Sequence, residues 1–569
     1  MATHTHRTRE LAWLLLAAFV VIAAGLGLRD PWPADEPRFA QLSRFILDSG
    51  EWLFLRRGDE LYSDKSPVFM WLQASAIALA GGSLRLGFLL PSLLASLGTL
   101  WLVYDLGRRL WTHRVGMAAA WLLLFALQFT FQAKRAQIDP LLLFFITLAN
   151  YGVLRQLLRG PDPRAWGLGG LAAGLGTITK AVGGLSLLMA LPAAWAAWRG
   201  WPRVTMPRPR TWVLGAVMFA LATLVWFGPL FLTVARSGEA WQQDYVHTLL
   251  FHQTVNRYTA SWDHHKPFWY HAGVVATLWL PAALALPWAI PAWWRRLRRR
   301  DARYLLPLAW VAMVLLFFSV PDGKRDVYIM PALPMFCLAL APLSPGLLRK
   351  AGPRRLLLGF VLAIGGVLLM AGLAMLLGEP GFEQRLLGRR GYTPGESAWL
   401  AALLALIGGW MLGSAALFRR AAARAAGWAL GGLWVFYAFG AYPVLDRQGS
   451  PREVMAEVAR HVGPGAELGG VAWREQHLLL ADRPLATFGF GPDGEHGAPW
   501  PEQWRKAAAW QAEKPGTRWI FTLEEAMPAC VDRDSAHFAG ATSRRRWWLL
   551  PATAVPPGCG AGAVATPSG

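Results

Sequence analysis

Charge is scarce in this chain. Asp, Glu, Lys and Arg make up 16% of its 569 residues, against about 25% in ordinary soluble domains. Together with a hydrophobic content of 54%, that scarcity excludes a conventional soluble protein. Acids are the scarcer sign, 35 Asp and Glu against 56 Lys and Arg, for a net charge of +21. The total would suit a nucleic-acid partner, but its distribution excludes one. The arginines fall in short clusters between apolar runs, at 107–114, 199–210, 293–303, 349–355 and 418–424. Such clusters mark the cytoplasmic side of a membrane protein and meet anionic lipid. Cysteine is nearly absent. Of three, Cys337 lies in an apolar run, whereas Cys530 and Cys559 lie near the C-terminus, where a disulfide would need an oxidising compartment. No internal repeat is visible.

What the chain has is apolar runs of about 20 residues, each long enough to cross a bilayer as a helix. The first, at 11–28, follows the basic "HTHRTRE" and reads as an anchor, because no small-residue cleavage site follows it. Further spans are predicted at 86–106, 115–131, 139–156, 166–179, 182–198, 211–234, 270–294, 304–320, 328–345, 355–377, 397–418 and 425–443, about thirteen in all. The 32 tryptophans suit interfacial anchoring. The apolar stretch 67–82 is short for a span. Counting it as one would invert every later basic cluster, so it reads as a helix lying along the outer interface. The expected architecture is a polytopic α-helical membrane domain, 1–445, with a long outer loop at 29–85, followed by a small α/β domain with a flexible tail at 446–569. In that domain "SPREVMAEVARHV" and "PEQWRKAAAWQAE" read as helices, and "LGGVAW" and "RWIFT" as strands. The odd span count puts this domain on the outer side.

The ionisable residues that remain gather on that outer side. The first loop carries Asp35, Glu36, Arg38, Arg57, Asp64 and Lys65, and later outer segments add Lys134, Asp139, His252, Lys324 and Arg325. Carboxylates kept beside lipid are costly and are usually functional or paired. Acids and bases converging on one face suit a substrate whose phosphate leaves at the bilayer surface. Lys and Arg would hold phosphate oxygens, and a carboxylate would serve as base or stabilise positive charge. Plainer readings stand beside this one. Asp139 in "QIDP" is placed to favour a helix start, the lysines would simply pair with Asp64 and Asp326, and Lys180 in "TITKAVGG" would either snorkel or touch a donor. "WDHHKPFWYH" looks like a metal box but completes no known ligand spacing. Two other function classes compete. A lipid-linked-sugar transporter or flippase would place ionisable residues near the midplane and show inverted repeats, and a non-catalytic lipid-binding assembly protein would tolerate Asp35→Asn.

The run from "DEPRF" through "YSDKSPVFMWLQASAIALAGGSLRLGFLLPS", with "HQTVNRYTASWDHHKPFWYH" at 252–271 and "FFSVPDGKRDVYIMPALP" at 317–334, resembles the aminoarabinose (lipid A) transferase and protein O-mannosyltransferase superfamily of GT-C membrane glycosyltransferases. The resemblance covers roughly residues 1–345. It implies a GT-C fold, a polyprenyl-phosphate-linked sugar donor, a lipid A, glycolipid or other periplasmic acceptor (a polysaccharide or a protein), and transfer with inversion. It makes Asp35 and Asp139 the catalytic carboxylates. Lys65, Arg57, Lys324, Arg325 and Tyr328 would hold the donor phosphate, with Glu36 and Arg38 in support. It further implies a divalent metal, zinc or similar, on Asp64 and His252, although the family's "EKPP" reads "DKSP" here, with a shorter acid and Ser66 in place of a proline. The expected partners are thus the lipid-linked donor, a lipid or glycan acceptor and membrane lipids, with no nucleic acid.

Overall fold

A computed structural model describes residues 2–250, 265–378, 391–491 and 497–559. Among these, nine helices are long and apolar enough to cross a membrane, and two further pairs qualify if each bent pair is one span. The chain is therefore a multi-pass membrane protein. Each predicted span has a helical counterpart, but length and composition alone do not yield thirteen. The first helix, α1 (Ala2–Ala23), ends five residues before the predicted 28, because Gly25 and Gly27 take positive φ of 81° and 83° and turn the chain. The predicted span 166–179 is realised as Pro163–Thr179, only 17 residues.

Two of the predicted spans are realised as sharply bent helix pairs. His113–Leu124 and Leu127–Ala133 meet at 69°, and Tyr270–Leu278 and Ala282–Arg298 at 100°. The breaks lie side by side, and the Leu127 N–H donates to the Leu280 carbonyl at 2.9 Å. Non-helical backbone at membrane depth must be satisfied by protein, and here one break helps to satisfy the other.

The first loop is ordered by its own amphipathic pattern. Helix α2 (Glu36–Ser49) starts with Pro37 in its first turn and stops at Gly50, which has φ 71°. Its buried Phe39, Leu42 and Ile46 face α3 (Val68–Leu79), a 12-residue apolar helix about 18 Å long, too short to span. Between them runs a small hairpin, β1 (Arg56–Arg57) against β2 (Glu60–Leu61). Its tip, Gly58, lies against the C-terminal domain: a Cβ there would stand 2.9 Å from the Thr487 hydroxyl.

The C-terminal domain is a five-stranded mixed sheet. In chain order its strands are β3 (Glu467–Val471), β4 (Leu485–Thr487), β5 (Arg518–Leu523), β6 (His537–Thr542) and β7 (Arg545–Leu550), and in space they run β4-β3-β5-β7-β6. β3 is parallel to both neighbours, whereas β5, β7 and β6 pair antiparallel. Helix Trp500–Glu513 buries Trp504 in a core with Trp473, Phe521 and Trp547. Cys530 and Cys559 form a disulfide that closes the end of the described chain onto this domain.

Candidate active site

Asp35 occupies the N-cap position of α2, where an aspartate ordinarily accepts from the helix's own N–H groups. It makes no such bond. Its Oδ2 instead accepts from Gln137 Nε2 and Arg325 Nη2, both at 3.3 Å, while Oδ1 lies 3.9 Å from Arg38 Nη1. One carboxylate thus draws on three chain segments.

Asp139 lies in the first turn of Ile138–Arg159, whose N-cap is Gln137 without a side-chain cap bond. An acid at that end suits the helix dipole, but Asp139 does more than that. It accepts from Lys180 Nζ at 2.9 Å, and Lys180 lies 5.2 Å over the Tyr328 ring. Lys180 sits where Pro163–Thr179 gives way to the 3₁₀ stretch Ala181–Met189. The two arms of that break touch: a Cβ on Gly183 would stand 2.1 Å from the Gly176 carbonyl carbon, so only glycine fits. Ser66 Oγ donates to the Thr179 carbonyl at 2.8 Å, pinning "DKSP" beside Lys180. Within it, Lys65 Nζ donates to the Asp64 carbonyl at 3.0 Å.

Burial works against the charge of Arg325. The Asp35 and Asp139 carboxylates more than offset this and hold its pKa above the ordinary arginine value. Asp35, Gln137, Asp139, Lys180, Arg325 and Tyr328 therefore form one half-buried cluster of two acids and two cations, drawn from the first loop, the 134–139 connection, a helix break and the 320–326 turn. Gln137 and Lys180 carry much of this geometry. Lys180 was open to either of two readings in the sequence, and nothing marked Gln137.

The other expected members make their hydrogen bonds outside this cluster, although Arg38 borders it. Glu36 is 3% exposed. It pairs in two-pronged fashion with Arg29 and accepts from the backbone N–H groups of Trp32 and Ala136, both at 2.9 Å; it ties the loop to the 134–139 connection. Arg38 donates from Nε to Glu475 of the C-terminal domain at 2.8 Å. Arg57, expected on a phosphate, instead lies 3.5 Å over the Phe490 ring and 3.9 Å from Glu475, because the hairpin that bears it inserts into that domain. Burial lowers its pKa despite the nearby carboxylate. Lys324, also expected on a phosphate, is 2% exposed and donates to the Lys266 carbonyl at 2.9 Å, where the backbone pairs His265 with Gly323. Lys134 donates to the carbonyls of Val21, Ile22 and Ala24, capping the negative end of α1. His252 lies outside the described residues. Among the described ones, no three His, Cys, Asp or Glu side chains gather as a metal would require, so no chemical step is derived through a metal.

The sequence profile of the dolichyl-phosphate-mannose-protein mannosyltransferase family matches residues 64–226. An undecaprenyl phosphate-alpha-4-amino-4-deoxy-L-arabinose arabinosyl transferase of Pseudomonas fluorescens is 30% identical over 415 residues, 71% of this chain and 71% of that protein. The transferase of the same name from Pectobacterium carotovorum is 28% identical over 426 residues, 72% and 70% of the two chains. The crystal structure of ArnT from Cupriavidus metallidurans bound to undecaprenyl phosphate superposes with a TM-score of 0.73 at 20% identity, covering 97% of this chain and 99% of that one; it shares the fold. The convergent polar cluster, the GT-C fold and the extent of sequence identity lead to one assignment: this chain is a membrane glycosyltransferase and belongs to the undecaprenyl phosphate-aminoarabinose arabinosyl transferase family.

Proposed function

We propose that the protein moves a sugar, an aminoarabinose-like residue or a hexose, from a polyprenyl-phosphate donor to lipid A or another glycolipid, with inversion, on the periplasmic face of a bacterial inner membrane. The observation that carries this reading is the gathering of Asp35, Asp139, Lys180 and Arg325 at one end of the helix bundle. The names of the relatives supply the donor class, and a disulfide in the C-terminal domain fits an oxidising compartment.

In this mechanism the acceptor oxygen attacks the anomeric carbon as the C–O bond to the phosphate breaks, and the polyprenyl phosphate leaves with the electron pair. Arg325, Lys180 and Lys65 stabilise charge developing on the phosphate oxygens, and the Tyr328 ring packs beside them. Asp35 takes the proton of a hydroxyl acceptor as general base. Were the acceptor an already ionised phosphate, no base would be needed and Asp35 would orient it. Asp139 fixes Lys180. Any divalent metal on Asp64 and His252 remains a separate proposal, which chelator treatment of the purified enzyme tests.

The test is transfer from radiolabelled polyprenyl-phosphate sugars by purified protein in detergent, with membrane extract as acceptor. Wild type should consume one donor, and Asp35→Asn should lose about 100-fold or more. Equal activity in the two would remove Asp35 from the chemistry. A folded wild type that only binds or translocates the donor would remove the transferase reading.

A further inference from the structure

Through Glu475 the C-terminal domain meets two arginines of the first loop. Glu475 starts the helix Glu475–Leu480, and its side chain is 7% exposed. It sits between two guanidinium groups of the first loop, accepting from Arg38 Nε at 2.8 Å and lying 3.9 Å from Arg57 Nη1. The Phe490 ring covers the Arg57 guanidinium at 3.5 Å. Arg38 therefore stands between two carboxylates. It hydrogen-bonds the distant one, from another domain, and stays 3.9 Å from Asp35 Oδ1, which is only three residues away in its own chain segment. An arginine fork left to itself closes on the nearest carboxylate in bidentate fashion. The charge of Glu475 opposes that closure.

We propose that Glu475 is a positioning residue for sugar transfer: it holds Arg38 off Asp35 and so keeps Asp35 Oδ1 open to the acceptor. This rests on the reading of Asp35 as the working carboxylate. Oδ2 is already committed to Gln137 and Arg325, so Oδ1 is the oxygen left to act. If Arg38 closed on it, the site would keep its shape and its donor-binding cations but lose its base. The expected signature is a fall in turnover with donor affinity retained.

Glu475→Gln keeps size and an acceptor oxygen but removes the charge. We expect kcat to fall about 10-fold or more while the donor KM moves less than about 3-fold. In an Arg38→Gln background the same change should cost less than about 2-fold, because the group it restrains is gone. A merely structural carboxylate would give equal losses in both backgrounds, and that result overturns the proposal. Asp35→Asn run alongside separates the two ideas. Activity in that variant removes the parent reading and this one with it, whereas an inactive Asp35→Asn beside an unimpaired Glu475→Gln removes this one alone. If Glu475→Gln does not fold, Glu475→Asp decides: it retains the charge and should keep kcat within about 3-fold, and a collapse of turnover in a folded Glu475→Asp overturns the proposal.

Discussion

Asp35 and Glu36 are chain neighbours with opposite placements. Asp35 is half-buried and shares its oxygens across segments, while Glu36 is sealed against Arg29, Trp32 and Ala136. Glu36→Gln would leave the buried Arg29 charge uncompensated, and breaking such a pair costs about 3–5 kcal/mol. We therefore expect a clear drop in the melting temperature of the detergent-solubilised protein. Arg325→Gln should act differently. It removes a cation beside Asp35 without unpairing a sealed charge, so the donor KM should rise about 10-fold or more with little change in melting temperature; steady-state kinetics over a donor titration would show it. Asp35 and Asp139 were legible in the sequence as candidates because the motifs that carry them fall in predicted outer segments. Their partners were not. Arg29 read only as the first residue of the outer loop, Arg57 as a phosphate ligand and Arg38 as its support, because the carboxylate that engages the last two lies 437 positions from Arg38.

At the level of elements, hydropathy located the apolar segments but could not see where they bend. Residues 115–131 and 270–294 read as single spans, yet each contains a sharp break, because a window average does not register which backbone groups find partners outside their own helix. The break around Lys180 is the one that matters to the site. It presents the lysine to Asp139, and it depends on Gly176 and Gly183 touching through their backbones. Gly183→Ala forces a methyl to within 2.1 Å of backbone. Overpacking of that kind costs about 1–3 kcal/mol, and the shift should also carry Lys180 away from Asp139. We expect both a lower melting temperature and an activity loss larger than the loss of folded protein, read by activity per folded molecule.

Across the whole molecule, the first loop and the C-terminal domain are fastened by a buried ionic clasp. Asp30, with no exposed surface, accepts from Arg85, Arg452 and Ser450 at 2.6–3.1 Å, and Asp446 accepts from the Asp30 N–H, the Trp32 indole and Arg85, each at 2.8 Å. Burial would raise the pKa of Asp30, but the hydrogen bonds from Arg452, Arg85 and Ser450 outweigh it and hold it below the ordinary carboxylate range. A depressed carboxylate stabilises the fold fully above its unfolded pKa of about 3.9 and loses that contribution as pH falls below it. The contribution of Asp30 should thus be complete from neutrality to about pH 4, and Asp30→Asn should weaken the clasp across that range, seen as faster limited proteolysis near residue 450. The disulfide predicts that denatured, unreduced protein exposes one thiol, Cys337, and three after reduction; thiol labelling counts them. The clasp and Glu475 also impose an order in time. Asp30 emerges from the ribosome 422 residues before Arg452, an interval of roughly 20–80 s at bacterial and eukaryotic elongation rates. Throughout it the first loop lacks the partners that the C-terminal domain supplies, so a partly made chain holds that loop unfastened until Ser450, Arg452 and Glu475 have been made.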